Sequence, residues 1–192
     1  MAHQKFDLTK LEKLNDPGRF DTLKPELMWE ALGRPSHATT IVEIGAGTGL
    51  FSAKFAEFAP SATVFAVDIE PKMIEWMEEH RPEAASGRLV AVLAEEARVP
   101  LGDGIADVVL MINLHHELAD PDSTYREAHR LLAPGGRLLA VDWAARETPK
   151  GPPLHIRVSG EDAAAVLDRL GFRDVQVNDT LPWHWMVTGT RV

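Results

Sequence analysis

With 192 residues the chain has room for one well-cored domain and not for two comfortable ones, since a domain of this size hides roughly 70% of its unfolded surface. A hydrophobic fraction of 45% and a charged fraction of 26%, with no apolar run near the length of about 18 residues that a span needs, exclude a disordered chain, a fibre and an integral membrane protein. Twenty Lys and Arg against 29 Asp and Glu give a formal charge of −9, which repels phosphate backbones and argues against nucleic acid as a partner. With no cysteine there is no disulfide, thiolate metal site or cysteine nucleophile, and no metal is assigned. Met1-Ala2-His3-Gln4-Lys5 lacks the apolar core of a signal peptide, so a cytoplasmic location is expected.

Residues 1–38 read as one or two helices, broken at Asp16-Pro17-Gly18-Arg19-Phe20 and resuming over Pro25 to Leu32; they either cap a ligand or simply cover the sheet. Strands are then expected at Thr39 to Gly45, Thr63 to Asp68, Arg88 to Ala94, Ala106 to Asn113 and Gly136 to Trp143. Their continuous Val, Ile, Leu and Ala content suits parallel strands covered on both faces. Phe51, Phe55 and Phe58, then Met73, Ile74 and Met77, mark crossover helices between the first three strands. A further helix is expected from Ser123 to Ala133, stopped by Pro134-Gly135-Gly136. The last helix, Ser159 to Leu170, has capping-box spacing between Ser159 and Asp162, an apolar stripe, and Gly171 at its end. Phe172 to Asn178 and His184 to Arg191 then form an antiparallel hairpin on the sheet edge. The expected fold is α/β: a single domain over residues 1–192, with a Rossmann-like, doubly wound, mostly parallel seven-stranded sheet in three α-β-α layers.

The first strand passes through Gly45-Ala46-Gly47-Thr48-Gly49 directly into a helix, a turn that lets a ligand touch bare backbone and helix-start N–H groups. The third glycine stands one position early for the G-x-G-x-x-G dinucleotide fingerprint, with Leu50 in its place. Glu43, at the strand end, repels a pyrophosphate but attracts an ammonium or sulfonium group. S-adenosylmethionine (SAM) carries both. Asp68, ending the second strand, lies where a ribose diol is held.

Four segments in order resemble the class I SAM-dependent methyltransferases of the type 11 group, similar to quinone-biosynthesis C-methyltransferases: Val42 to Gly49; Val67 to Met73; Asp107-Val108-Val109 with Leu114-His115-His116; and Arg130 to Leu138. The resemblance implies that Gly45 and Gly47 line the methionine end, Asp68 binds the ribose hydroxyls, Ile69 packs on adenine and Met73 is an apolar wall. It also implies backbone contacts from Asn113 and Leu114. Where relatives often carry Asp before a Leu-Pro pair to meet the adenine amino group, this chain has Glu95 and Glu96, with Glu95 favoured by counting back from Pro100.

His115, His116 and Glu117 follow the fourth strand and are the nearest candidates for a base, beside a structural reading of either imidazole. Trp143 and Arg146 follow the fifth strand and are candidates for acceptor binding; His155, Arg157, Trp183, His184 and Trp185 are later candidates for the pocket wall or for packing. Trp29 and Trp76 fall on helical patterns. The expected activity is methyl transfer from SAM to a small-molecule acceptor, yielding S-adenosylhomocysteine (SAH). The alternatives are a non-catalytic SAM-binding regulator and a nicotinamide-dependent oxidoreductase.

Overall fold

The computed structural model describes residues 11–192; the opening pentapeptide and the first ten residues of the expected cap lie outside them. Three short helices, α1 (Leu11–Leu14), α2 (Phe20–Leu23) and α3 (Pro25–Ala31), precede the sheet. Their breaks are local in origin. Asp16 accepts a hydrogen bond from the Gly18 N–H at 2.8 Å to start a 3-10 turn, and Lys24 takes a left-handed φ of 39° before Pro25 opens α3.

The first half of the sheet comprises β1 (Thr40–Ile44), α4 (Leu50–Phe58), β2 (Thr63–Asp68), α5 (Pro71–His80), α6 (Pro82–Ala85) and β3 (Leu89–Leu93). The second comprises β4 (Ala106–Ile112), α7 (Pro121–Leu131), β5 (Leu132–Trp143), α8 (Gly160–Arg169), β6 (Arg173–Asn178) and β7 (His184–Thr190). All seven strands form one sheet in the order β3-β2-β1-β4-β5-β7-β6. β1 to β5 are parallel, and β7 runs antiparallel to both β5 and β6. The strand order reverses between β1 and β4, which opens a crevice at their C-terminal ends.

Alternate residues feed two cores. Ile41, Val108 and Leu110 pack with Met28 of α3 and with Phe51 and Phe55 of α4. Val42, Val109 and Met111 pack with Tyr125 and Leu131 of α7 and Leu167 of α8. Burial on both faces explains why these strands read as unbroken apolar runs.

Two boundaries differ from expectation. α7 starts at Pro121 rather than Ser123, because Asp120 caps it by accepting from the Ser123 N–H at 3.3 Å. It ends at Leu131, and Pro134-Gly135-Gly136 lies inside β5 instead of stopping the helix. There the pairing with β4 slips between Ala106 and Val108, and Gly135, at φ 79°, donates to the Arg191 carbonyl at 2.7 Å. A bulge is where a strand tolerates such residues. At the other end, β7 is inserted between β5 and β6, so its residues are nearly all buried while the exposed β6 forms the edge.

Candidate active site

After Ile44 the chain turns through Gly45 to Gly49 into α4, and the N–H groups of Gly45 and Ala46 both donate to the Val67 carbonyl at 2.9 Å. Gly45 and Gly47 sit at φ of 75° and 55°, where side chains are strained, and a Cβ on Gly45 would stand 2.8 Å from Leu114 Cδ1. A Cβ on Gly47 would meet Leu14 of α1 at 3.1 Å. Arg81 joins the same two parts: its Nε donates to the Thr48 carbonyl at 2.7 Å and its Nη2 to Asn15 Oδ1. The end of α1 therefore lies on the glycine turn.

Two acids frame this turn. Glu43 is 1% exposed and accepts a hydrogen bond from the Ser52 hydroxyl. Burial pushes its carboxyl up to about 7, against the opposing pull of Ser52 and the Arg19 guanidinium. Arg19 itself lies 5.1 Å over the Phe51 ring and donates to the Leu14 carbonyl at 2.9 Å. Asp68 accepts from the Gly47 N–H at 2.8 Å through Oδ2 and from the Glu70 N–H at 3.0 Å through Oδ1. Burial raises its pKa, and the backbone bonds oppose the rise. A carboxylate offers about four acceptor positions, and these bonds do not exhaust them.

Beyond Asp68 a cleft of about 590 Å³ is lined by Ile69, Pro71, Leu93, Ala94, Glu95 and Arg98. Ile69 is 57% exposed and Leu93 50%, an apolar surface suited to a flat ring. Glu95, and not Glu96, lines this cleft; it stands in a turn closed by reciprocal Glu95 and Arg98 backbone bonds of 3.2 and 3.1 Å. Met73 is buried at the start of α5.

Across the crevice, Asn113 leaves β4 at a φ of 55°, and its N–H donates to the Val141 carbonyl at 2.8 Å. Among the described residues, Asn113 Oδ1 and Thr48 Oγ1 are buried without a hydrogen-bond partner. Buried polar atoms are normally paired, so unspent capacity at the ends of β1 and β4 fits a polar ligand. A 3-10 turn, His115–Glu117, follows. His115 is buried, with Nδ1 2.8 Å from the Tyr125 hydroxyl and its ring edge-on to Trp185; burial lowers its pKa. His116 Nδ1 instead lies 2.8 Å from Asp142 Oδ1, and its Nε2 is 3.7 Å from Glu117 Oε1. Asp142 is a neighbour that motif spacing does not reveal. Its signal is an acid at the end of the apolar run Leu138-Leu139-Ala140-Val141.

Trp143 is half-buried, stacked on Trp183 at 6.3 Å and against His184 at 4.2 Å, with the Arg157 guanidinium 5.4 Å over its ring. Arg157 donates to the carbonyls of Ala144, Arg146 and Pro152 and so fixes the loop after β5. Arg146 is exposed and donates to the Pro182 carbonyl at 3.0 Å. Trp185 is core, its Nε1 donating to the Val158 carbonyl; Trp29 packs on Phe55 and Phe58, Trp76 stacks on His80, and His155 is exposed. His184 is 1% exposed, neither ring nitrogen has a partner among the described residues, and burial drives its pKa down to about 4. Replacing an orphaned polar group by an apolar one of similar shape is close to neutral or stabilising. His184→Phe is therefore expected to keep or raise the Tm in a thermal melt; a drop of several degrees would contradict this.

The fold defines a doubly wound domain with a crevice at its strand ends and acids at the ends of β1 and β2. A methyltransferase domain family matches residues 42–140, and the chain belongs to that family. It is similar to an uncharacterized methyltransferase of Mycobacterium tuberculosis, 31% identical over 156 residues that cover 80% of this chain and 60% of the relative. It is also similar to a malonyl-[acyl-carrier protein] O-methyltransferase of Geobacter sulfurreducens, 30% identical over 155 residues that cover 72% of this chain and 57% of the relative. The chain thus spans no more than 60% of the length of these curated relatives. Among solved structures, a SAM-dependent methyltransferase from Aquifex aeolicus matches with a TM-score of 0.89 at 27% identity, covering 98% of this chain and 100% of that one. The fold is that of the SAM-dependent methyltransferases.

Proposed function

We propose that the chain binds SAM across the glycine turn and catalyses methyl transfer to a small-molecule acceptor, leaving SAH. The observation that carries this reading is the convergence of Glu43, Gly45, Gly47 and Asp68 on one turn, continued by the apolar cleft at Ile69 and Leu93. In it, Gly45, Ala46, Gly47 and Gly49 present backbone to the methionyl end, Glu43 provides the charge opposite its cations, and Asp68 binds the ribose hydroxyls. Ile69 and Met73 form the adenine wall, Glu95 rather than Glu96 meets the adenine edge, and Asn113 and Leu114 line the reaction centre. Residues 1–38 serve as a cap within a single domain, consistent with Leu14 resting against Gly47. Trp143 flanks the acceptor, with Arg146 at the mouth. His115, tied to Tyr125, and Glu117 support the turn that carries His116.

SAM supplies a methyl group on a sulfonium that is already a good leaving group. The protein's part is alignment and exclusion of water, which can contribute up to about 7 to 11 kcal/mol. Formation of SAH with a broad panel of small acceptors tests the reading; tight SAM binding with no SAH from any acceptor would favour a non-catalytic binder.

Glu43 gives the cofactor site a pH signature. With its carboxyl at about 7 in the free protein, a cationic ligand converts it to carboxylate and expels a proton. SAM affinity is expected to rise with pH up to about 7, as the free carboxyl gives up its proton, and Glu43→Gln to flatten the profile. Titration heats in buffers of different ionisation enthalpy read the released proton, and equal heats would contradict the assignment. In the free protein the folded carboxyl holds its proton more tightly than the unfolded one, so stability falls as pH rises from 4.5 to about 7.

A further inference from the structure

The end of β5 holds a buried acid whose side-chain partner is an imidazole. Asp142 is 2% exposed and accepts from His116 Nδ1 at 2.8 Å, from the His116 backbone N–H at 3.2 Å and from the Trp143 backbone N–H at 2.6 Å. Among the described residues no Lys or Arg pairs with it. An ionised Asp142 fixes the Nδ1–H tautomer and leaves Nε2 with its lone pair. The turn bearing His116 follows Leu114, whose side chain stands against Gly45, so the pair sits beside the glycine turn at the ends of β4 and β5.

We infer, resting on the SAM reading above, that His116 Nε2 takes the proton of the methyl acceptor, with Asp142 as its positioning residue, and that this acceptor is a neutral phenol or enol. Charge selects the class. On the acceptor side Glu117 and Asp142 act on His116, while Arg157 spends donors on the backbone oxygens of its own loop. That field repels carboxylate and phosphate acceptors, and a carboxylate has no proton for a base to remove. An amine or thiol needs less help from a base. Trp143, with Trp183 stacked beside it and His184 packed at a tilt, adds an aromatic wall at the same strand end for a planar group.

The step balances without another reactant. The acceptor's O–H proton passes to Nε2, its oxygen lone pair forms the bond to the methyl carbon, and the electron pair of the broken carbon–sulfur bond stays on sulfur. The resulting imidazolium is stabilised by Asp142 and returns its proton to water. Groups acting on His116 are Asp142 of β5, Glu117 and His115 of its own turn, Arg157 of the following loop and His184 of β7. Burial pulls the imidazolium down, but the hydrogen bond and charge of Asp142, with Glu117, outweigh it and hold His116 above the ordinary histidine value.

The test follows SAH formation by the full chain with phenols, enols, carboxylates, amines and thiols, and titrates His116 by NMR in the wild type and in Asp142→Asn. Phenols or enols are expected to be turned over, and His116→Gln to lose about 100-fold or more in kcat with SAM affinity unchanged. In Asp142→Asn, both the NMR midpoint of His116 and the acidic limb of kcat/KM are expected to move down in pH together. Transfer confined to carboxylates, amines or thiols would overturn the inference, as would no phenol or enol turnover by protein that binds SAM, or an unmoved midpoint in Asp142→Asn. Loss of SAM binding in the wild type would instead overturn the SAM reading and this inference with it.

Discussion

Gly47→Val is expected to abolish SAM binding while leaving the sheet folded. Gly47 holds a φ of 55°, in a region that branched side chains rarely enter, and its N–H anchors the turn to Asp68 at 2.8 Å. A valine either strains the backbone or rotates that N–H away, and it puts two methyl groups where a ligand meets bare backbone. The nearest atom to a Cβ there is Leu14 Cδ1 at 3.1 Å, so the end of α1 is pushed as well. The large cores around Phe55 and Tyr125 are built from other residues. Far-UV circular dichroism should therefore stay native-like while calorimetry shows no SAM heat; wild-type affinity in the variant would contradict the site.

Asp68→Ala is expected to weaken SAM by about 1.5 to 3 kcal/mol, the worth of hydrogen bonds to a charged group. That is roughly a 10- to 150-fold rise in Kd. The carboxylate receives the N–H groups of Gly47 and Glu70, and in the proposed site its remaining acceptor capacity goes to the ribose. Asp68→Asn keeps one oxygen for the backbone and should lose less, which separates turn geometry from ribose binding. An unchanged Kd in Asp68→Ala would remove Asp68 from the site.

Strand pattern and glycine spacing are local properties, and for that reason they were legible in the sequence. Val42-Glu43-Ile44-Gly45 announces a buried strand running into a bare turn, and β1 and the turn are found there. Pro134-Gly135-Gly136 misleads because the same residues that stop a helix also build a bulge, and the choice depends on β4 lying alongside. The insertion of β7 between β5 and β6 is likewise a matter of long-range pairing. Among the candidate site residues, Glu43 and Asp68 are bound by spacing to the turn, whereas Asp142 and His116 meet across 26 positions of chain. Arg19 approaches Glu43 from the 3-10 turn before α2, where no motif marks it. Such pairings arise from sheet order, which periodicity does not encode.

The most direct measurement is calorimetric titration of the purified protein with SAM, SAH and NADH in parallel. A buried Glu43 beside the turn favours a sulfonium and an ammonium and disfavours a pyrophosphate. Micromolar binding of SAM and SAH with no heat from NADH is the predicted result; NADH binding without SAM binding would contradict it.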